Sequence, residues 1–195
     1  MGNLFSVKRR FESLGASVRI AESVQDISEA ERLVLPGVGH FGKAMESLAS
    51  RGMVEGIKAF AAESKPLLGI CLGMQLLAES SEEGDSTGLG LVPGRIVKFR
   101  VKDSSKYKVP HTGWNTLEDI RPEGLLEGVK ALDEYYFVHA YHYNADLDEQ
   151  FVAARTRFEY SFPSVVCNGS VMGAQFHPEK SHDTGLAMLK NFLHQ

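Results

Sequence analysis

Two short segments, Gly69-Ile70-Cys71-Leu72-Gly73 and Phe176-His177-Pro178-Glu179, hold the residue types that nucleophilic catalysis needs. Cys71 ends the apolar run Leu67-Leu68-Gly69-Ile70 and precedes a helical pattern that runs to Leu77. The segment reads as a strand, a tight turn and a helix, with the cysteine on the turn. So sharp a turn strains its apex residue and brings neighbouring backbone close, which the flanking glycines permit. The result is a nucleophile elbow with sulfur in place of a serine oxygen. The thiol then faces the first turn of a helix, whose unpaired N–H groups and dipole favour the thiolate. The competing reading is a buried cysteine after a core strand, since free cysteine is among the most buried residue types.

Pro178 pushes His177 into an extended conformation, so a strand ends there. Residues two apart in an extended chain point to the same side, and Glu179 can therefore orient the His177 ring. Cysteine, histidine and carboxylate are the nucleophile, base and orienter of a triad. Alone, His-Pro-Glu is more often a surface turn; the elbow gives it weight. His40, His111, His142, His182 and His194 show no metal spacing with a cysteine or carboxylate cluster, so no metal and no cofactor is assigned.

The elements that must position these groups follow from periodicity. Leu4, Val7, Phe11 and Leu14 recur at helical spacing, and Gly15 stops that helix as a C-cap would. Residues 18–21 and 33–35 read as strands, the second ending in Pro36-Gly37-Val38-Gly39. Helices are expected around 43–50 and 54–63, followed by the elbow and a polar loop at 80–87. Strand alternating with helix argues for a mostly parallel sheet covered on both faces. The second half differs: residues 95–101, 136–143, 151–156 and 165–167 read as strands, several of them antiparallel. A last helix should start near Asp183 as N-cap, with Leu186, Leu189, Phe192 and Leu193 on one face. The expected fold is one α/β domain over residues 1–195.

Composition narrows the class. The chain has 195 residues, 43% hydrophobic and 24% charged, enough for one well-packed soluble domain. A net charge of −4 gives no reason to expect nucleic-acid binding. No apolar run approaches membrane-spanning length and no signal peptide is recognisable. A disulfide between the two cysteines, Cys71 and Cys167, would disarm the nucleophile, so a cytoplasmic, reducing setting fits best. Cys167 lies in a strand-like run and reads as core.

The chain resembles the class I, triad-type glutamine amidotransferases, and among them the glutaminase subunits of imidazole glycerol phosphate synthases. The resemblance rests on Leu35-Pro36-Gly37-Val38-Gly39, Gly69 to Gln75, Pro110-His111-Thr112-Gly113-Trp114-Asn115, Tyr136 to Tyr141, and Gln175 to Ser181. It spans nearly the whole chain, in order, and implies a flavodoxin-like core. It implies that Cys71 attacks the side-chain amide of L-glutamine to form a thioester, while His177 shuttles the proton and Glu179 orients His177. Acyl transfer also needs donors for an oxyanion. Leu72 would supply one backbone N–H, and the Gly37, Val38, Gly39 loop another after a peptide flip that two glycines make easy. The resemblance further implies substrate contacts from Gly73, Gln75, Glu83, His139, Ala140 and Tyr141. Ala140 departs from the small hydroxyl residue common in the family.

Trp114, Asn115 and Lys180 would face a partner: a (β/α)8-barrel cyclase forming a heterodimer. Free ammonia would be protonated and lost in water, so it should pass through a protein tunnel. Family members usually carry a strand before the first helix, inside the sheet, and the resemblance implies that this strand is missing ahead of Asn3. Alternatives are a glutaminase subunit of another synthase, such as one for surface-polysaccharide sugar amination, a non-catalytic binding relative, or a cysteine peptidase.

Overall fold

The computed structural model describes residues 2–195, with side chains from residue 4 onward. Helix α1 (Gly2–Ser13) buries Val7 and Phe11, four residues apart on one face. Gly15 ends it in the left-handed region at φ +88°. There follow helix α2 (Val24–Ser28), strand β1 (Leu33–Gly37), helices α3 (Phe41–Ser50) and α4 (Met53–Ala62), strand β2 (Leu67–Cys71) and the short helix α5 (Leu72–Leu76). The second half is mostly strand: β3 (Ser80–Ser81), β4 (Ser86–Thr87), β5 (Arg95–Lys98), β6 (His111–Thr116), β7 (Glu134–His139), β8 (Tyr141–Tyr143), β9 (Val152–Arg157), β10 (Ser161–Asn168) and β11 (Val171–Ala174). Helix α6 (His182–Leu193) closes the chain.

The central sheet has the order β1-β2-β11-β10-β9. β1, β2 and β11 run parallel, and β10 and β9 extend the sheet antiparallel. All five β2 residues are buried, which is why its sequence is an unbroken apolar run rather than an alternation. Leu68 and Ile70 join Phe11, Met188 and Phe192 in one core cluster, while Leu67 joins Ile57 and Phe60 in another. That alternation assigns the clusters to opposite faces of the sheet. Each of these side chains contributes roughly 2 kcal/mol by leaving water. Two smaller sheets, β4-β3-β5-β8 and β6-β7, flank the centre, and the chain passes from one to the other at Ala140.

Several sequence expectations are corrected. Residues 18–21 form no strand and no ladder with any described strand. The polar loop at 80–87 contains the β3–β4 hairpin. The aromatic stretch 136–143 is two strands in two sheets, not one. Asp183 is not the last helix's N-cap: a 3-10 turn at Pro178–Lys180 leads through Ser181 into α6, leaving Asp183 in the first turn. β1 stands at one edge of the sheet; the strand expected ahead of the first helix lies outside the described residues. Among those residues no helix is long and apolar enough to cross a membrane.

Candidate active site

Parallel pairing of β1 with β2 places Gly37 in register with Cys71. The loop that leaves β1 therefore begins beside the thiol. Cys71 itself sits at φ 54° and ψ −111°, a conformation costly for any residue with a Cβ. β2 ends and α5 begins at this residue, as an elbow requires. The glycines around it are dictated by packing. A Cβ on Gly73 would stand 1.6 Å from the Leu35 carbonyl oxygen, and one on Gly69 would stand 2.7 Å from the Met74 Cα. Gly37 lies against the Leu72 side chain and the Gly73 nitrogen. α5 spans only five residues, so the dipole behind the thiol is short.

His177 and Glu179 reach Cys71 from the far end of β11. Their side chains are 0% exposed, and His177 Nδ1 lies 2.8 Å from Glu179 Oε1. They meet in a different way from the sequence argument. His177 is extended, but the chain then turns through Pro178–Lys180, and this turn, not strand alternation, brings the carboxylate under the ring. The His177 backbone is pinned on both sides: its N–H donates to the Tyr136 carbonyl (2.9 Å), and its carbonyl accepts from the Ser181 hydroxyl (2.6 Å). Burial alone would lower the pKa of His177. Hydrogen bonding to Cys71 and to Glu179, with their negative charge, outweighs burial and raises it from 6.5 to about 9. The ring therefore holds a proton at neutral pH.

Gln175 is a site residue that sequence reasoning passed over, although it stands two places before His177. It is fully buried, and its amide Nε2 lies 3.9 Å from Cys71 Sγ. Its Oε1 accepts from Gln75 Nε2 (3.1 Å), which also donates to the Tyr141 carbonyl (2.9 Å). The Val138 carbonyl approaches Cys71 Sγ at 3.9 Å. Gln75, His139 and Tyr141 are thus gathered around the thiol through one hydrogen-bonded set. Ala140 uses its carbonyl to accept from Phe99 N–H, fixing the bend between β7 and β8. Glu83 serves the backbone of α3, where its Oε2 accepts the Phe41 N–H at the start of the helix (2.7 Å). It also lies near Tyr141, whose phenol pKa is raised by burial and by Glu83 and Glu82.

Trp114, Tyr136 and Lys180 share one surface. Trp114 is 43% exposed, stacks on His182 at 4.9 Å and packs edge-on to Tyr136, while Lys180 Nζ lies over the Tyr136 ring. Asn115 is half-buried and bonds inward, to the Arg157 carbonyl and to His111. Cys167 is half-buried rather than core, with Sγ 3.4 Å from the Gly169 carbonyl oxygen. It lines a separate cavity of about 420 Å³ with Arg121, Leu126 and Met172, away from the triad.

The chain matches the model of the family described as glutamine amidotransferase class-I over residues 2–195. It is 50% identical to imidazole glycerol phosphate synthase subunit HisH of Sulfurimonas denitrificans, covering 98% of this chain and 93% of that protein. It is 45% identical to the subunit of the same name from Halalkalibacterium halodurans, covering 98% and 91%. Among solved structures, one described as glutamine amidotransferase superposes with a TM-score of 0.73 at 20% identity, covering 96% of this chain and 92% of that one. The glutaminase domain of Trypanosoma brucei CTPS gives a TM-score of 0.62 at 19% identity, covering 98% and 88%. At such identities these two structures speak for the fold alone.

Proposed function

The chain belongs to the glutamine amidotransferase class-I family, and from that premise we propose that it is the glutaminase subunit of imidazole glycerol phosphate synthase, in histidine biosynthesis. It acts as one domain over residues 1–195, hydrolyses L-glutamine to glutamate and ammonia, and supplies the ammonia to a cyclase subunit. The observation that carries this reading is the strained Cys71, in register with Gly37 and coupled to a buried, Glu179-oriented His177 whose pKa it helps raise.

The chemistry follows from the geometry. Cys71 sulfur attacks the amide carbon, and the carbonyl oxygen becomes an oxyanion beside the Leu72 N–H and the Gly37-Val38-Gly39 backbone. The intermediate collapses to a γ-glutamyl thioester as His177 passes its proton to the departing nitrogen. His177, now neutral, takes a proton from water; the hydroxide oxygen attacks the thioester, and glutamate leaves as the thiol is restored. Gly73, Gln75, Glu83 and the segment His139, Ala140 and Tyr141 hold the amino-acid end of glutamine. The exposed face of Trp114, with Asn115 and Lys180 beside it, docks the partner, a (β/α)8-barrel cyclase, as a cytoplasmic heterodimer. Ammonia crosses that interface without entering bulk water.

Replacing Cys71 by Ala or Ser tests the reading in the assembled enzyme. Glutamine-dependent synthesis should vanish while synthesis from ammonium salts, run by the partner alone, persists. A Cys71 variant that releases glutamate from glutamine near the parental rate would sink the assignment.

A further inference from the structure

A box of aromatic side chains beside the site contains two histidines that the triad does not use. His111 on β6 and His139 on β7 are paired directly across the antiparallel ladder, and both are buried. The His111 ring is clamped between Phe137 (centroids 4.8 Å, 25°) and Phe158 (4.4 Å, 30°), so it cannot rotate freely. An apolar residue would fill this space without the cost of burying a polar ring. The explanation lies in where the ring nitrogens point.

The hydrogen-bond directions are fixed by acceptors that cannot donate. His139 Nδ1 lies 2.8 Å from the Tyr141 carbonyl oxygen, so that nitrogen carries the proton. Burial, with the neighbouring His111, holds the His139 pKa well below 6.5, so the ring has only this one proton and Nε2 is a bare acceptor. His111 Nδ1 lies 3.0 Å from that Nε2 and must donate to it. His111 Nε2 is then an acceptor, and Asn115 Nδ2 stands 3.3 Å away to donate. The directed relay Asn115 → His111 → His139 → Tyr141 carbonyl ends on the oxygen that also accepts from Gln75, 2.9 Å away. Gln75 continues to Gln175, and Gln175 to Cys71 Sγ.

We propose that His111 is a positioning residue of the glutamine site: through His139 it fixes the Tyr141 carbonyl and, with it, the Gln75 amide that lines the approach to Cys71. This inference rests on the reading of Gln75 and the His139–Tyr141 segment as the glutamine-binding wall. His111 touches neither substrate nor sulfur. It satisfies His139 Nε2, so that the His139 ring keeps its Nδ1 proton aimed at the Tyr141 carbonyl.

Two measurements decide it. The first compares His111→Phe with His111→Asn in the assembled enzyme, since the Asn Nδ2 stands where the histidine Nδ1 does. His111→Phe should raise the KM for glutamine about tenfold, the effect of one lost buried hydrogen bond, with kcat within about threefold and ammonium-dependent synthesis retained. His111→Asn should recover most of that loss. A parental KM in His111→Phe overturns the proposal. So does a parallel fall of kcat, kcat/KM and ammonium-dependent synthesis, because His111 would then be holding the fold and not the glutamine wall. The second is 15N NMR of the parental side chains. Both rings should be neutral with the proton on Nδ1; a proton on His139 Nε2 overturns the relay. A parental enzyme with no Cys71-dependent glutaminase activity would instead defeat the reading of the site, and the NMR result would still judge the relay by itself.

Discussion

His177 Nδ1 and Glu179 Oε1 are 2.8 Å apart, both side chains shut away from solvent. That bond holds the ring in one orientation, with Nδ1 and not Nε2 toward the carboxylate. Glu179→Gln keeps a group of the same shape but removes the charge that helps hold the His177 pKa up at about 9. The variant should fold and bind its partner, with glutaminase kcat lower by roughly 10²–10⁴, the usual worth of a positioned acid–base group. The pKa in its rate profile should move down, since burial of His177 is then opposed by less charge. A variant within a few-fold of parental kcat would mean that Glu179 does not orient the base.

The elbow is legible in the sequence because its glycines answer local steric demands: Gly69 and Gly73 face backbone and the fixed start of α5 at distances no Cβ tolerates. Gln175 is not legible, since a buried amide has no local signature and its partners, Gln75 and Cys71, are about a hundred residues away. His111 can be judged from sequence only for metal spacing; its role exists only once β6 and β7 pair. Residues 18–21 have β-rich composition, but a strand exists only where a neighbour completes a ladder. Strand geometry predicts the His177–Glu179 contact, and a 3-10 turn makes it.

Gly73→Ala should damage the site from the side opposite the chemistry. The new methyl would meet the Leu35 carbonyl oxygen at 1.6 Å, and the obstacle is backbone, not a side chain that can swing away. β1 must move off α5, carrying Gly37 away from Cys71. Stability should fall by about 3 kcal/mol, the upper range for overpacking, and glutaminase activity with it. Thermal unfolding and glutamate release on the purified variant check this; an unchanged melting midpoint contradicts the packing described here.

The Gly37-Val38-Gly39 loop should make the glutaminase depend on its partner. Val38 is 51% exposed, and Gly39 sits at φ +115° with open space where a Cβ would stand. The space around Gly39 leaves room for its peptide to reorient. The purified chain alone should hydrolyse glutamine poorly and gain about 10²–10³-fold with the cyclase and its acceptor bound, the usual worth of one oxyanion donor. Full activity without the partner, unaltered by adding it, would remove the loop from the account.

Acid should unfold this protein through its buried histidines before its carboxylates titrate. Burial lowers His111 and His142 from 6.5 to about 4 and takes His139 well below 6.5. All three are neutral when folded at pH values where the unfolded chain would protonate them. The unfolded state therefore binds more protons between pH 6.5 and 4, and stability is lost as pH falls through that window. Each ring moved from 6.5 to about 4 corresponds to roughly 3 kcal/mol once the drop is complete. His177 runs the other way: raised from 6.5 to about 9, it is protonated both folded and unfolded at about pH 5.5 and adds little to the uptake there. Calorimetry at about pH 5.5 in buffers of different ionisation heat should give about two to three protons taken up per chain on unfolding. The melting midpoint should drop steadily from about pH 7 to about pH 5. Uptake below about one proton under those conditions would mean that these rings are charged in the folded protein, and the neutral His111–His139 pair would have to be abandoned.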